Sequence, residues 1–457
     1  MYDLVVIGGG PGGYAASVRG AQLGGKVALV EVAEMGGTCV NRGCIPSKVW
    51  HRAAWMLHWF RNCQLLGIHA TVNELDLSQI VDRKNGVSRD IRMGMEALLK
   101  NNQIDLIRGR ATFKSPKEIE INGRILQTRN SIVATGSIPE IPDIPGLRDA
   151  VTTTDEILDM LEIPDSVLIW GDAGPIDLEI ATYMNIFGSK VYLVTERPRI
   201  LWREDQETSQ RIAKALRDQG VELLTGHRLE SVTHKNNCFV AQISGPMGLS
   251  LNVNRLLVAS RKPYFSGLGL DQLRIRIAPD GGVWVDDKLK TSVESIFAIG
   301  DVTGGWMMSH VASSMAIIAA ENAMGNDRKY AFNLVPRAIW TMPEVGSVGL
   351  SEEEAEAKGL NVEVGTFPYS INGLAMLRDE MSGSVKIVSD ADFGEILGVH
   401  IVGANATELV GEAVMAMQLE GTVKELAESI RCRPTFAESV VDAARDVLNW
   451  ALYLPRN

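Results

Sequence analysis

The sequence lacks an apolar run long enough to cross a bilayer, which argues against a membrane span. Its opening residues, MYDLVVIGGGPGG, have neither the basic stretch nor the cleavage site of a secretory signal, so the expected compartment is the cytoplasm. No long block of basic residues is present, and the formal net charge is -11. Both features argue against a polyanion such as nucleic acid as the main partner.

Cysteine is also scarce, with five in 457 residues, which is too few and too scattered for a disulfide scaffold. Only Cys39 and Cys44 are close in sequence, and such a pair in a cytosolic protein is more often catalytic or metal-binding than structural. Cys63, Cys238 and Cys432 stand alone, and each is expected to be a small buried hydrophobe.

The first 31 residues have the pattern of a strand, a glycine turn, a helix and a second strand. Gly8 would form the turn, and Gly10 would let the backbone approach a pyrophosphate. Gly13 would allow close helix packing, and Glu31 at the second strand end would accept ribose hydroxyls. The position of the motif within a βαβ unit favours a dinucleotide site over a purely structural turn.

A second unit of the same layout follows about one domain later. An apolar strand at 167–170 precedes GDAGPIDLEIA and a further strand that ends at Glu196. A proline-rich stretch from Pro139 to Gly146 indicates a domain boundary near residue 145. A strand, SIFAIGD, and a long helix from about His310 come next along the chain. From about Pro336, strands alternate with amphipathic helices. A chain of this length is expected to form three or four domains of roughly 100 to 200 residues each.

The segment GGTCVNRGCIPSK at 36–48 places two thiols five residues apart, where a helix N-terminus could activate a reducible disulfide. It resembles the redox-disulfide signature of the dihydrolipoamide dehydrogenase family, within the flavoprotein disulfide reductases. The resemblance extends along the chain through four further segments: SIVATGS at 131–137, SIFAIGDV at 295–302, TMPEVGSVGL at 341–350 and ILGVHIVGANATELVGEA at 396–413.

The resemblance implies an α/β fold of the glutathione reductase type, with two Rossmann-like nucleotide-binding domains and a C-terminal α/β dimerisation domain. The expected domains are an FAD-binding domain in two parts (1–145 and 266–335), an NAD(P)-type domain (146–265) and a dimerisation domain (336–457). The implied assembly is a homodimer in which each active site draws on both subunits.

The resemblance also assigns roles to individual residues. It implies that Cys39 is the interchange thiol and that Cys44 is the charge-transfer thiol beneath FAD. It implies that Lys48 and Glu179 form an ion pair beside the flavin and that Asp301 binds the ribityl chain of FAD. Further FAD-binding positions are expected at Gly8, Gly10, Gly13, Glu31, Lys48, Thr135, Gly136 and Gly300. No metal site is expected.

The first departure from the family lies in RCRPTFAE, where Arg433 stands at the position of a catalytic histidine. A guanidinium stays charged and only donates, so ordinary acid/base catalysis is lost there. Glu438 could pair with Arg433, and Arg431 could join it to bind an anionic group. A surface ion pair accounts for these residues equally well. Cys432 could act as a third redox thiol, although the preferred interpretation is that it is a buried, inert cysteine.

The second glycine motif is altered as well, because Asp172 and Asp177 replace two of its glycines. Asp172 would bring negative charge to the pyrophosphate position, and Asp177 would crowd helix against strand. NAD(P)(H) binding is therefore doubtful, although Glu196 remains for a ribose. The segment SRKPY at 260–264 is a third change assigned to the same domain.

A cluster of tryptophans, Trp50, Trp55 and Trp59, follows the cysteines on roughly one predicted helix face. Core packing is the expected reason, and a reshaped substrate channel is the alternative. His51 is the nearest candidate for a replacement base.

The first functional hypothesis is an FAD-dependent dithiol/disulfide oxidoreductase of the dihydrolipoamide dehydrogenase type, whose substrate could be a lipoyl group on a carrier protein. The second keeps FAD and the disulfide but uses another thiol or disulfide substrate, which could be anionic, and an electron partner other than NAD. The third is a non-catalytic flavoprotein subunit, against which the retention of Cys39, Cys44, Lys48 and Glu179 argues. The sequence leaves open the substrate and the direction of electron flow.

Overall fold

The computed structural model describes residues 1–236, 238–246, 248–331 and 334–455. The chain divides into two compact units. The first comprises residues 1–142, 152–163 and 258–331, and the second comprises residues 143–151, 164–257 and 332–457. Within the described ranges, no helix is both long enough and apolar enough to cross a bilayer.

The strands of the described residues, in chain order, are β1 (Tyr2–Ile7), β2 (Val27–Glu31), β3 (Asp105–Arg108), β4 (Ala111–Ser115), β5 (Glu118–Ile121), β6 (Arg124–Val133), β7 (Ser137–Pro139), β8 (Val151–Thr153), β9 (Ser166–Trp170), β10 (Lys190–Thr195), β11 (Glu222–Thr225), β12 (Arg228–Lys235), β13 (Cys238–Ser244), β14 (Leu249–Val253), β15 (Arg255–Val258), β16 (Arg261–Pro263), β17 (Ile296–Ala298), β18 (Arg337–Ile339), β19 (Val345–Gly349), β20 (Val362–Pro368), β21 (Ser384–Asp390) and β22 (Ile396–Val402).

The α-helices are α1 (Pro11–Gln22), α2 (Gly37–Asn41), α3 (Cys44–Asn62), α4 (Leu77–Asn101), α5 (Pro175–Phe187), α6 (Gln206–Asp218), α7 (Ser309–Ala323), α8 (Glu352–Ala357), α9 (Gly373–Arg378), α10 (Ala406–Gln418), α11 (Val423–Glu428) and α12 (Glu438–Val447). Short 3-10 helices lie at Cys63–Leu66, Ile157–Asp159, Gly300–Thr303 and Tyr369–Ile371.

The first unit is built on a sheet in the order β3-β2-β1-β6-β5-β4, and β17 also pairs with β6. Strands β3, β2, β1, β6 and β17 run parallel, which confirms the βαβ pattern expected at the N-terminus. Helices α1 and α7 pack against each other. The last four residues of β1, at 4–7, are buried because parallel strands are covered on both faces.

The parallel register brings three strand ends together. Val133 is the partner of both Ile7 and Ala298, so β1, β6 and β17 end at one edge of the sheet. In sheets of this type, ligands bind beyond the carboxyl ends of the strands. Three loops that sequence analysis selected therefore lie at a single edge: those that begin at Gly8, at Ala134 and at Ile299.

The second unit begins with another parallel arrangement, in which β9 pairs with β10 and β10 with β11. Helix α5 connects β9 to β10, as the second βαβ pattern predicted. An antiparallel sheet of β12, β13 and β14 follows.

The C-terminal part of this unit is an antiparallel sheet in the order β18-β19-β22-β21-β20, covered by α10 and α12. Its core includes Tyr369 and Phe436, whose rings stack with centroids 5.1 Å apart. A buried ion pair joins this sheet to the segment before α6, because Lys386 donates to Asp205 at 2.9 Å. The division of the second unit into a nucleotide-type domain and a dimerisation domain stays a prediction.

Candidate active site

The first glycine turn requires glycine at two of its positions. Gly8 has φ +106°, and a Cβ there would lie 2.3 Å from the carbonyl oxygen of Ala134. A Cβ on Gly13 would lie 1.7 Å from the carbonyl oxygen of Gly8. At Gly10 the nearest atom to such a Cβ is Gly37 Cα at 3.9 Å, so this stretch of backbone is open to the close approach of another group.

The N-terminus of α1, directly after this turn, carries no side-chain cap and no acidic residue. Its amides are therefore available to an anion, as a pyrophosphate requires. Glu31 is buried at the end of β2 and accepts hydrogen bonds from the amides of Gly9 at 2.6 Å and Ala33 at 2.7 Å. A carboxylate fixed in this way keeps further lone pairs for ribose hydroxyls.

The other two loops at the same edge present polar groups. Asp301 accepts a hydrogen bond from the Ser137 hydroxyl at 2.7 Å, and the Thr135 hydroxyl donates to the carbonyl of Tyr264. Gly136 and Gly300 have φ +71° and +69°, conformations that glycine adopts at little cost. An uncapped helix and two fixed carboxylates at one sheet edge fit FAD.

The two close cysteines lie in the same unit as this edge. Cys39 is in the short helix α2, and Cys44 is the first residue of α3. Helix α4 holds the connecting segment, because Ser88 donates to the carbonyl of Val40 at 2.8 Å and Arg92 donates to Asn41 at 2.6 Å. The expected position of the pair at a helix start is confirmed.

Both cysteines are thiols in this structure, and their side chains share a hydrogen bond. The hydrogen bond from Cys39, together with Ser309 and Lys48, lowers the pKa of Cys44 to about 6, although burial acts in the opposite direction. The pKa of Cys39 is raised well above its ordinary value. The hydrogen bond with Cys44 is the largest cause, and burial is the second. Near neutral pH the negative charge therefore resides on Cys44, which is exposed, and the proton on the half-buried Cys39.

Lys48 and Glu179 belong to different units. Lys48 lies one turn after Cys44 on α3. Glu179 on α5 accepts hydrogen bonds from the Trp340 amide at 3.1 Å and the Tyr183 hydroxyl at 3.2 Å. The expected ion pair of Lys48 with Glu179 would join the two units, and it stays a prediction.

The second glycine turn differs from the first at its helix. Asp177 is 5% exposed, and its Oδ2 accepts a hydrogen bond from the Gly174 amide at 3.0 Å. Among the described residues its Oδ1 has no hydrogen-bond partner. Burial, with a smaller contribution from the charge of Asp172, raises the pKa of Asp177 to about 7. The N-terminus of α5 thus holds a carboxylate of its own.

The expectation that Asp177 crowds helix against strand is wrong. The carboxylate lies beside Gly171, where a Cβ would come within 3.0 Å of Oδ1, so a missing side chain at the end of β9 provides the space. Asp172 pairs with Arg197 at 3.2 Å, and the Arg197 guanidinium lies 4.3 Å from the ring centroid of Trp202. The negative charge of Asp172 is therefore partly neutralised.

The segment 260–264 was assigned to the nucleotide-type domain, but its contacts are with the first unit. Strand β16 pairs with β7, and Arg261 donates to Asp155 at 2.7 Å. Arg261 also donates to the hydroxyls of Ser137 at 3.0 Å and Thr38 at 3.3 Å. Only the substitutions by Asp172 and Asp177 therefore alter the second glycine turn itself.

In the segment RCRPTFAE at 431–438, both guanidiniums have a carboxylate partner. Arg433 pairs with Glu438 and lies 5.1 Å from the ring centroid of Tyr453, and Arg431 pairs with Glu412. The pairing of Arg433 with Glu438 is as expected. These contacts favour the ion-pair interpretation over an open anion site.

The expectation of buried inert thiols is wrong for the remaining cysteines. Cys432 is exposed, and Cys63 and Cys238 are half-buried. Each of the latter two donates from sulfur to a nearby carbonyl, Cys63 to Phe60 at 3.1 Å and Cys238 to Lys235 at 3.2 Å.

The tryptophans after Cys44 divide into two groups. Trp50 is fully buried, as core packing predicts. Trp55 and Trp59 are half-buried, with ring centroids 5.7 Å apart, so they do not share the environment of Trp50. His51 is buried, and burial, followed by the charges of Lys48 and Arg52, lowers its pKa to about 4.

Sequence analysis missed Ser309. It is the first residue of α7, and its hydroxyl oxygen lies 3.7 Å from Cys44 Sγ. The two residues are 265 positions apart, and only the predicted start of a helix near residue 310 pointed to this region. Among the described residues, no group of three or more histidine, cysteine or acidic side chains could hold a metal ion.

Two family models match the chain. The model described as pyridine nucleotide-disulphide oxidoreductase matches residues 2–316, and that of the corresponding dimerisation domain matches residues 335–444. The dihydrolipoyl dehydrogenase of Thermus scotoductus is 38% identical over 458 residues, which cover 99% of each chain. That of Corynebacterium glutamicum is 37% identical over 462 residues, with 98% of each chain covered.

Solved structures of similar proteins include the HOCl-induced flavoprotein disulfide reductase RclA from Escherichia coli. Its TM-score is 0.86 at 28% identity, and the match covers 96% of this chain and 99% of that chain. A Cu(II) complex of the same reductase has a TM-score of 0.87 at 27% identity, covering 97% of this chain and 98% of that chain.

Proposed function

Because the chain belongs to the pyridine nucleotide-disulphide oxidoreductase family, we propose that this FAD-dependent disulfide oxidoreductase exchanges electrons with a dithiol substrate through Cys39, while Cys44 carries the thiolate. The observation that supports this division of roles is the opposite shift of the two thiol pKa values, down to about 6 for Cys44 and upward for Cys39. The chain also carries the family's dimerisation domain, consistent with a homodimer.

Exchange begins with the Cys39–Cys44 disulfide. A substrate thiolate attacks Cys39 Sγ, the bond between the two cysteine sulfurs breaks, and Cys44 leaves as a thiolate. The second substrate sulfur then attacks the substrate sulfur bound to Cys39, which forms the substrate disulfide and releases Cys39. Cys39 takes up one of the two substrate protons, and the other goes to solvent. The low pKa of Cys44 makes it the better leaving group in the first step.

Bound FAD supplies the two-electron redox chemistry that connects this pair to an acceptor or donor. The uncapped N-terminus of α1, Glu31 and Asp301 would hold it, and Lys48 on α3 would add a positive charge beside the thiolate. Run backwards, the same steps reduce a substrate disulfide.

The substrate that we propose is a dithiol that reaches Cys39 already ionised. Dihydrolipoyl dehydrogenases are relatives over nearly the whole chain, which supports a dihydrolipoyl group, free or on a carrier protein, as the reference dithiol. Arg433 cannot take a proton from it, because a guanidinium only donates. A dithiol of lower pKa should therefore react faster than dihydrolipoamide, with the rate rising as the substrate ionises.

The second candidate function keeps this exchange but uses an electron partner other than a pyridine nucleotide. Asp177 favours it, since its carboxylate occupies the helix N-terminus that would otherwise receive a pyrophosphate. Anaerobic reduction of the holoenzyme by NADH and NADPH, followed by flavin absorbance, separates the two candidates.

Trapping of a mixed disulfide tests the exchange. Reaction of the Cys44→Ser variant with a linear disulfide substrate, whose leaving thiolate diffuses away, should leave the other half of the substrate bonded to Cys39, because the hydroxyl that replaces the Cys44 thiol cannot displace it. Mass spectrometry of peptides locates the adduct, and Cys238→Ser serves as the control variant that still turns over without an adduct. An adduct on Cys44 in the Cys39→Ser variant, with none on Cys39 in Cys44→Ser, would reverse the proposed roles.

A further inference from the structure

Two helices begin at the Cys44 sulfur. Cys44 is the first residue of α3, and Ser309 is the first residue of α7. The Ser309 hydroxyl oxygen lies 3.7 Å from Cys44 Sγ, within the range of a hydrogen bond to sulfur. Both helix N-termini carry positive partial charge, which stabilises an anion within the first turn.

The direction of this hydrogen bond follows from the charge on sulfur. A thiolate has no proton to donate, whereas a serine hydroxyl both donates and accepts. With Cys44 ionised, Ser309 therefore donates to it, as does the thiol of Cys39. Lys48 adds a positive charge one turn along α3.

The hydroxyl does not cap its own helix. The residue before it, Met308, is the N-cap of α7, and no side-chain hydrogen bond caps that helix. The hydroxyl instead acts on the redox pair: it bonds to Cys44, and it also lowers the pKa of Cys39, where the bond to Cys44 and burial have larger, opposite effects. A purely structural role in starting α7 would not require an oxygen aimed at sulfur.

We propose that Ser309 is a positioning residue for the redox pair, whose hydroxyl keeps the negative charge on Cys44 and so leaves Cys39 as the protonated, exchanging sulfur. The inference rests on the exchange proposed above and names a group that determines which of the two sulfurs keeps the negative charge. After the pair is reduced, two sulfurs share one proton. A hydroxyl within hydrogen-bond distance of Cys44 favours the arrangement in which that sulfur keeps the charge and Cys39 keeps the proton.

The same donor acts while the disulfide is being opened. Attack of a substrate thiolate on Cys39 transfers the bonding electron pair to Cys44, and the Ser309 hydroxyl stabilises the charge that develops there. Without it, Cys44 is a poorer leaving group, and the reduced pair is less favoured over the disulfide.

The test is a pH titration of the two-electron-reduced holoenzyme, followed through the long-wavelength absorbance of the Cys44 thiolate beside the flavin. In Ser309→Ala the titration midpoint should rise by about one pKa unit, since a hydrogen bond to an ionised group contributes roughly that much. Ser309→Thr keeps the hydroxyl and should return the midpoint toward the wild-type value. Ser313→Ala, on the same helix, is the matched control and should leave it unchanged.

An unchanged midpoint in both Ser309→Ala and Ser309→Gly would overturn the proposal. Equal shifts in Ser309→Ala and Ser309→Thr would also overturn it, because they would show that the hydroxyl is not responsible. If a variant retains too little FAD, the ultraviolet absorbance of the thiolate gives the same midpoint. The proposed exchange fails separately, if Cys44→Ser traps no substrate on Cys39 while the titration still responds to Ser309.

Discussion

Asp177 accepts a hydrogen bond from the Gly174 amide at 3.0 Å and thereby caps α5, the helix that follows the second glycine turn. The first turn offers the contrast, because no side chain caps α1. A helix N-terminus attracts anions through its free amides and its dipole. In α5 an intramolecular carboxylate competes for that position, whereas in α1 the position is available to FAD.

Replacement of Asp177 by glycine should strengthen NADH binding. The change removes both a negative charge and the cap, so we expect the dissociation constant for NADH to fall about tenfold or more. Rapid-reaction measurement of flavin reduction against NADH concentration gives this constant. Asp218→Gly, at the exposed end of α6, is the control, and an equal gain in affinity there would refute the role of Asp177.

The buried Asp177 should also make stability depend on pH. Its pKa is about 7 in the folded protein against an ordinary 3.8, so the native state holds more protons between these values. Stability attributable to this group therefore falls as pH rises from about 4 to about 7, by up to about 4 kcal/mol, and stays low above pH 7. Thermal unfolding at pH 5 and pH 8 should show a smaller decrease for Asp177→Asn than for the wild type. Equal slopes in the two proteins would contradict the assignment.

Restoring a histidine at position 433 should restore proton transfer. Glu438, at the N-terminus of α12, already pairs with the side chain at this position and would orient an imidazole. We expect Arg433→His to raise kcat/KM for dihydrolipoamide at least about tenfold, with a new ionisation near pH 6 to 7, because a general base contributes roughly 100-fold or more. Arg431→His, two residues away and paired with Glu412, is the matched control. A pH profile unchanged from that of the wild type would contradict the prediction.

The ion pair of Lys386 with Asp205 should contribute strongly to the stability of the second unit. Asp205 is fully buried, so Lys386→Met would leave an uncompensated charge and lower the free energy of unfolding by about 3 to 5 kcal/mol. Lys214→Met breaks the exposed pair with Asp218 and should cost less than about 1 kcal/mol. Denaturant unfolding measures both values, and similar losses would show that burial does not govern the effect.

The sequence was sufficient for the elements whose signals are local. The βαβ pattern around Gly8, the helix start at Cys44 and the second βαβ unit around Gly174 all lie where the sequence predicted them. Turn glycines and periodic apolar residues act over a few positions, so neighbouring residues reveal them. The pairing of Arg433 with Glu438 was also predictable, because the two residues are five positions apart.

Sequence reasoning failed where burial or a distant contact decides the outcome. It assigned Arg261 to the wrong unit, took Cys432 for a buried thiol and expected Asp177 to disrupt the packing of α5. Arg261 bonds to residues more than 100 positions away, and Asp177 fits because Gly171 has no side chain.

The sequence by itself determined that the chain has two nucleotide-type turns, a close pair of cysteines and an arginine in place of a histidine, because each is a matter of residue type and short spacing. The contacts that favour a negative charge on Cys44 are visible only in the tertiary structure. Ser309 reaches Cys44 across 265 positions, and a thiol pKa depends on the donors and charges that folding brings to the sulfur.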